Sequence, residues 1–175
     1  MHSILVMRMS EGIEWALHCC TVLAFLPDDE SLPAARLAEF HGVPGPYLAK
    51  HLQALTRAGI TTSTSGPRGG FRLAGPATEI TLLDVVLAID GDDPAFTCTE
   101  IRRNGPQAET AVDYEPLGPC GIATAMWRAE DAWRRELAGV SIADLTKTML
   151  DTVPEEQLTV SAVWLEGAIK RRSTS

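Results

Sequence analysis

The stretch 31–74, SLPAARLAEFHGVPGPYLAKHLQALTRAGITTSTSGPRGGFRLA, constrains this chain more than any other. Its breakers divide it into a helix, a turn, a second helix and a two-stranded wing. Ser31 is placed to cap a first helix with Pro33 in its opening turn, where the missing N–H costs nothing. Ala35, Leu37, Ala38 and Phe40 supply its apolar side, and His41-Gly42 closes it. Gly45-Pro46 opens a second helix in which Leu48, Leu52 and Leu55 share one face, leaving Tyr47, Lys50, His51 and Arg57 to point elsewhere. Gly59 ends it. Ile60 to Ser63 and Phe71-Arg72-Leu73 flank Ser65-Gly66-Pro67-Arg68-Gly69-Gly70, a turn rich enough in glycine and proline to read as a hairpin.

Charge sets the same region apart. Arg36, Lys50, Arg57, Arg68 and Arg72 against Glu39 give residues 33–74 a net +4, in a chain of net charge −8, so the remainder carries −12. A local cationic surface on an acidic protein suits a phosphate backbone better than it suits general adhesion to polyanions. A solvated basic face is the plainer alternative. Geometry and charge coincide here, and the wing tip is itself basic, so DNA binding is the expectation.

At 175 residues the chain is long enough to bury a real core as one domain, or as one domain plus an oligomerisation arm. No apolar run approaches the roughly 20 residues of a membrane span. The opening MHSILVMRMS lacks the basic n-region and long apolar core of a signal peptide, so a cytoplasmic location without membrane attachment is expected, with Met7 a candidate start. Without an export signal, the four cysteines Cys19, Cys20, Cys98 and Cys120 argue against a structural disulfide framework and leave metal or redox chemistry open. No P-loop, GxSxG elbow or HExxH is present, so enzyme readings have no motif to rest on.

Before the helix–turn–helix, a helix is predicted from Ser10 to Leu26, closed by Pro27-Asp28-Asp29. Ile13, Ala16, Leu17, Cys20, Leu23 and Ala24 make one apolar face and Trp15, Cys19, Val22 and Leu26 another, which implies burial on several sides, a second subunit included. Glu14 and His18 are its only ionisable groups beyond the first turn, and their i, i+4 spacing sets them on one side. Either they satisfy one another or they act as a pair of metal ligands. Cys19 and Cys20 read as small core hydrophobes. Thr81 is placed to cap a helix ending at Gly91. From 92 to 119 the periodicity fails, with only Thr99 to Arg103 suited to a helical turn. Loops this long in compact domains are functional or disordered. Cys98 and Cys120 bracket it at a spacing that matches no zinc or ferredoxin pattern, so free thiols, a disulfide and metal ligands all stand. Gly121 to Ala138 is a predicted long helix whose Ile122, Met126, Ala129, Trp133 and Leu137 form a seam suited to a twofold interface or to packing within the chain. Val140 to Leu145 reads as a short capped helix, Pro154 to Ile169 as a last one, and Lys170-Arg171-Arg172 as part of a frayed tail. The fold class is therefore mainly α with a small β wing. Its divisions are a DNA-binding domain over 7–91, a loop over 92–119, a dimerisation helix region over 120–150, and a C-terminal helix and tail over 151–175.

Several of these residues resemble the Rrf2 family of bacterial winged-helix regulators, many of which carry an iron–sulfur cluster. Met7-Arg8-Met9-Ser10 with Trp15-Ala16-Leu17 resembles the family's opening helix, and Tyr47-Leu48 through Leu55-Thr56-Arg57-Ala58-Gly59-Ile60 its recognition helix. Gly66-Pro67-Arg68-Gly69-Gly70-Phe71-Arg72-Leu73, followed by Glu79-Ile80-Thr81-Leu82-Leu83-Asp84-Val85, is the most specific match; Ile142-Ala143-Asp144-Leu145 resembles the end of the dimerisation helix. The resemblance implies a homodimer on double-stranded DNA at a palindromic operator. Cluster-bearing members usually supply three cysteines from the loop before the dimerisation helix, with a fourth ligand that in some branches is acidic and stands where Glu14 does. Here the loop offers only Cys98 and Cys120.

The expectation is then a 2Fe–2S cluster at the dimer interface, with Cys98 and Cys120 of one subunit on one iron and Glu14 and His18 of the partner subunit on the other. At the DNA, Pro46, Tyr47, Lys50 and His51 are expected in or beside the major groove, Arg68 in the minor groove, and Arg72 or Arg57 on phosphate. The alternatives are a cluster-free regulator controlled by a small ligand, a partner protein or a Cys98–Cys120 disulfide, a sensor of nitric oxide or iron–sulfur status, and a winged helix that binds protein.

Overall fold

A computed structural model describes residues 9–67, 69–110 and 112–173, together with the side chains of these residues except 107 and 170–173. In chain order the elements are α1 (Glu11–Leu23), α2 (Ala34–His41), α3 (Gly45–Arg57), β1 (Thr61–Thr64), β2 (Gly70–Leu73), α4 (Leu82–Asp90), α5 (Gly121–Ala138), α6 (Ile142–Thr152) and α7 (Glu155–Ser173), with two 3-10 turns at Ile101–Arg103 and Gly105–Glu109. They form two compact units: one of Met9–Gly91 with Leu137–Ser175, the other containing Asp92–Glu136.

The first unit is a winged helix built around α1. Ile13, Ala16, Cys19, Cys20, Val22 and Leu23 are buried along α1, against Leu37 of α2, Leu48, Leu52 and Leu55 of α3, Val85 of α4 and Ile142 of α6. Each fully buried leucine contributes about 1.5–3 kcal/mol, so the three leucines of α3 fix its rotation about its own axis. Apolar positions run nearly around α1 because α3, α4, α6 and β2 all pack on it. The helix is shorter than Ser10 to Leu26. Ser10 occupies the cap position without capping, since its hydroxyl donates to Asp90 Oδ1 at 2.6 Å and its N–H to Asp90 Oδ2 at 3.2 Å, tying the start of α1 to the end of α4.

The wing is an antiparallel pair in the register Thr61 with Leu73 through Thr64 with Gly70. A third segment joins it. Leu32 N–H donates to Phe71 O at 2.9 Å and Phe71 N–H to Leu32 O at 2.7 Å. This corrects the expected role of Ser31: the chain at 31–32 runs extended along the wing, Ser31 is buried, and Pro33 takes the cap position of α2. The glycine pair of the turn follows from the same packing. A Cβ on Gly70 would stand 2.4 Å from the Leu32 carbonyl carbon, and one on Gly69 2.3 Å from Thr64 O.

Two matching sequences, Ile80-Thr81-Leu82-Leu83-Asp84 and Val140-Ser141-Ile142-Ala143-Asp144, start α4 and α6. Each is a capping box, with Thr81 and Ser141 accepting from the backbone N–H of Asp84 and Asp144. The two caps also pair with each other, through Leu82 N–H to Val140 O and Ile142 N–H to Ile80 O, both 2.9 Å. From this cap α6 runs to Thr152, beyond the short helix predicted. The last helix, α7, likewise continues past Ile169 to Ser173, where a frayed tail was expected. It packs on α2: the Trp164 ring lies 5.0 Å from Phe40 and 4.7 Å from the Arg36 guanidinium, and Ala168 is buried.

Because Gly70 meets backbone rather than a movable side chain, Gly70→Ala is expected to lower stability by roughly 1–3 kcal/mol and to loosen the wing. Chemical denaturation and hydrogen exchange at the Leu32 and Phe71 amides would check this; unchanged protection would contradict it.

Candidate nucleic-acid interface and metal-ligand residues

The start of α3 is open to solvent. Pro44 and Pro46 begin the helix without needing donors, and Pro46, Tyr47, Lys50 and Arg57 are all exposed while Leu48, Leu52 and Leu55 are not. Tyr47 is 48% exposed, yet its ring edge rests 5.3 Å from Trp15 and 4.8 Å from His51, so its hydroxyl end is presented from a fixed base. His51 departs from expectation. Only 9% exposed, it lies beneath Gly12, where a Cβ would stand 2.3 Å from its Cε1, and its Nε2 has no hydrogen-bond partner among the described residues. It is a spacer between α1 and α3 and not a surface contact. Burial holds its pKa below the usual imidazole value, helped by Lys50 and opposed by Asp90.

The wing cations divide as well. Arg72 is exposed but engaged, its Nη1 donating to Asp28 O at 2.7 Å and its Nε to Thr62 Oγ1 at 3.3 Å. It ties the wing to the loop after α1. Arg68, together with Met7 and the residues before it, lies outside the described residues.

Glu14 and His18 are exposed on α1, and no hydrogen bond or ion pair joins them among the described residues. They do not satisfy one another. The His18 ring lies 5.7 Å from that of His41 at the end of α2. Burial, with His18 adding to it, lowers the His41 pKa to about 4.

Cys98 and Cys120 both belong to the second unit. Cys120 immediately precedes α5, so the Ala123 N–H of the first turn donates to its Sγ at 3.4 Å, while the Glu100 N–H donates to Cys98 Sγ, also at 3.4 Å. The Ala123 N–H holds the Cys120 thiol below its usual pKa, and the Ile122 N–H, a hydrogen bond from Cys98 and the Arg102 cation add to this against some desolvation. Both thiols are free and partly accessible. Cys19 and Cys20 contrast with them: burial pushes Cys19 up to about 12 and Cys20 upward too, so both are unreactive core groups.

Nothing in the sequence pointed to Arg102. It pairs with both carboxylate oxygens of Glu100, donates from Nη2 to Gly118 O at 3.2 Å, and stacks over the Tyr114 ring at 4.6 Å. Glu100 adopts a left-handed conformation, φ 51° and ψ 55°, unique to it among the described non-glycine residues. These contacts join residues 100, 102, 114 and 118 across irregular backbone, where no period exists to reveal them. Gly12 was hidden for a similar reason, since its partner His51 is distant in sequence.

A family profile described as "Rrf2: Iron-dependent Transcriptional regulator" matches residues 9–148. The chain belongs to the Rrf2 family. It is 30% identical over 139 residues to YffB of Lactococcus lactis subsp. lactis (strain IL1403), named as an HTH-type transcriptional regulator, covering 79% of this chain and 86% of that protein. Among solved structures it is similar to CymR, the global cysteine regulator of B. subtilis, with a TM-score of 0.62 and 19% identity over 82% of this chain and 98% of that one. It is also similar to IscR of T. potens, with a TM-score of 0.61 and 18% identity over 84% and 91% of the two chains. At such identities the likeness concerns the winged-helix fold. As an Rrf2 protein the chain is a transcriptional regulator and not an enzyme. No helix among the described residues is long and apolar enough to cross a membrane. The family match stops short of α7.

His51 has a pH consequence. With a folded-state pKa below the unfolded value of about 6.5, the unfolded chain binds the proton more readily below that pH. The contribution of neutral His51 is therefore complete above about pH 6.5 and falls as pH drops towards the lowered folded value. Denaturation midpoints should decline over that window in the wild type and decline less in His51→Gln; identical slopes would contradict the assignment.

Proposed function

We propose that this Rrf2 regulator acts as a homodimer on a palindromic operator and reports redox state through a 2Fe–2S cluster at the dimer interface. Cys98 and Cys120 of one subunit hold one iron, and the partner subunit's Glu14 and the partner subunit's His18 hold the other. The observation that carries this reading is that a backbone N–H donates to each thiol of the loop, Glu100 to Cys98 Sγ and Ala123 to Cys120 Sγ, with Cys120 biased towards thiolate. The donor set fits: thiolates, a carboxylate and an imidazole are all iron ligands. Among the described residues no three His, Cys, Asp or Glu side chains form a metal-holding group, and this reading takes the other two ligands from a second copy.

The α5 seam supports dimerisation. Ile122 is 70% and Met126 44% exposed in the single chain, with Trp127 beside them, an apolar edge that a second α5 would cover. When bound, the cluster supplies one-electron redox chemistry, and histidine in place of thiolate raises its potential. The chain's own residues do the rest. Glu14 and His18 flank Trp15, which touches Tyr47 and His51 of α3, so a change in how either ligand is held reaches α3 through one helix and one ring. On DNA, Pro46, Tyr47 and Lys50 serve at the major groove, Arg68 enters the minor groove, and Arg57 or Arg72 meets phosphate. His51 supports this surface from behind. A second reading draws on the same two free thiols: a Cys98–Cys120 disulfide switch without iron.

Anaerobically purified protein should contain about two irons and two acid-labile sulfides per chain, and Glu14→Ala and His18→Ala should each alter the visible spectrum. Colourless protein without iron or sulfide would leave the disulfide reading. Spectra unchanged in both variants would remove Glu14 and His18 as ligands.

The regulator should also protect a site in its own promoter region from nuclease. Lys50→Ala and Arg68→Ala should each weaken binding and lower the salt slope by about one, whereas unchanged slopes would exclude these residues from the interface.

A further inference from the structure

Arg102 lies outside every role described so far, yet it touches both arms of the cysteine loop. Its guanidinium holds the Glu100 carboxylate, with Nη2 at 2.6 Å from Oε2, and the Glu100 N–H in turn donates to Cys98 Sγ. The same Nη2 donates to Gly118 O, two residues before Cys120. Tyr114, from the middle of the loop, lies under the guanidinium plane. Three separate segments of an otherwise irregular loop thus converge on one side chain.

The left-handed backbone at Glu100 gives this arrangement a second, independent mark. A glutamate adopts that conformation only where its surroundings over-determine it. The paired oxygens on Arg102 supply that constraint, at the same residue whose N–H donates to Cys98 Sγ. Lysine offers no equivalent, because one ammonium lacks the planar fork that takes two carboxylate oxygens and a carbonyl at once.

We propose that Arg102 is the positioning residue of the Cys98–Cys120 pair: it clamps the two arms of the loop so that both sulfurs face a single soft metal ion. The inference deepens the reading of these cysteines as metal ligands, and its test uses the metal-free protein so that the two stand or fall separately.

The probe is cadmium ion, followed by the ultraviolet thiolate-to-metal charge-transfer band in reduced, metal-free full-length protein. Cys19 and Cys20 are buried and do not compete. Wild type should bind one cadmium per chain in a manner abolished by Cys98→Ala. Arg102→Ala should weaken binding at least tenfold, with Arg102→Lys no better, and Glu100→Ala should weaken it similarly. The double variant should be no weaker than either single one, because both break the same link. Purely additive losses, full recovery in Arg102→Lys, or wild-type affinity in Arg102→Ala would each overturn the proposal. Should Arg102→Ala fail to fold by circular dichroism, Glu100→Ala carries the test alone, with wild-type affinity in that variant overturning it. Tight cadmium binding with no iron or sulfide after anaerobic purification would uphold the clamp while removing the cluster.

Discussion

The packing of α1 against α3 is the constraint on which the rest of the first unit depends. Leu48, Leu52 and Leu55 are fully buried, and Ala16, Cys19 and Cys20 meet the same core from α1. Gly12 leaves just enough room for the His51 ring, so the distance between the start of α1 and the middle of α3 is set by an imidazole against bare backbone. The same packing supports the exposed start of α3, through Trp15 against Tyr47. Glu14 and His18 stand on the other side of that helix, in the open. A helix packed on α3 that also carries exposed side chains is suited to couple its surface to α3.

The winged helix was legible because its determinants are local. Gly42, with φ 66°, ends α2 where His41-Gly42 promised, α5 spans Gly121–Ala138 as its periodicity implied, and Thr81 caps α4 with Asp84 closing the box. Ser31 misled for a physical reason. Serine two residues before a proline satisfies the capping preference, but the backbone at Leu32 is drawn into the wing by two hydrogen bonds to Phe71, a partner 39 residues away that spacing does not disclose. His51 misled similarly: helical periodicity marked it as off the leucine face, while Gly12 had made a pocket for it.

The candidate site was only half legible. Residue type and the broken periodicity marked Cys98 and Cys120 as worth attention, and each accepts a backbone N–H in the structure. That Arg102, Glu100 and Gly118 do the holding came from tertiary contacts alone. Glu14 and His18 were read as a pair by spacing, and the structure leaves both exposed on α1. The C-terminal helix adds a separate element: through Trp164 it braces α2 on Phe40 and Arg36, beyond the segment that matches the family.

The central claim is that each cluster is built from two chains, and a mixed dimer tests it directly. One chain would carry Cys98→Ala and Cys120→Ala, the other Glu14→Ala and His18→Ala, with different affinity tags to isolate the mixed species. One pair of intact ligand sets then meets across the interface and the other is lost entirely. The account predicts no cluster in either variant homodimer and about half the wild-type iron, sulfide and visible absorbance in the mixed dimer. A mixed dimer as empty as the two homodimers would contradict it.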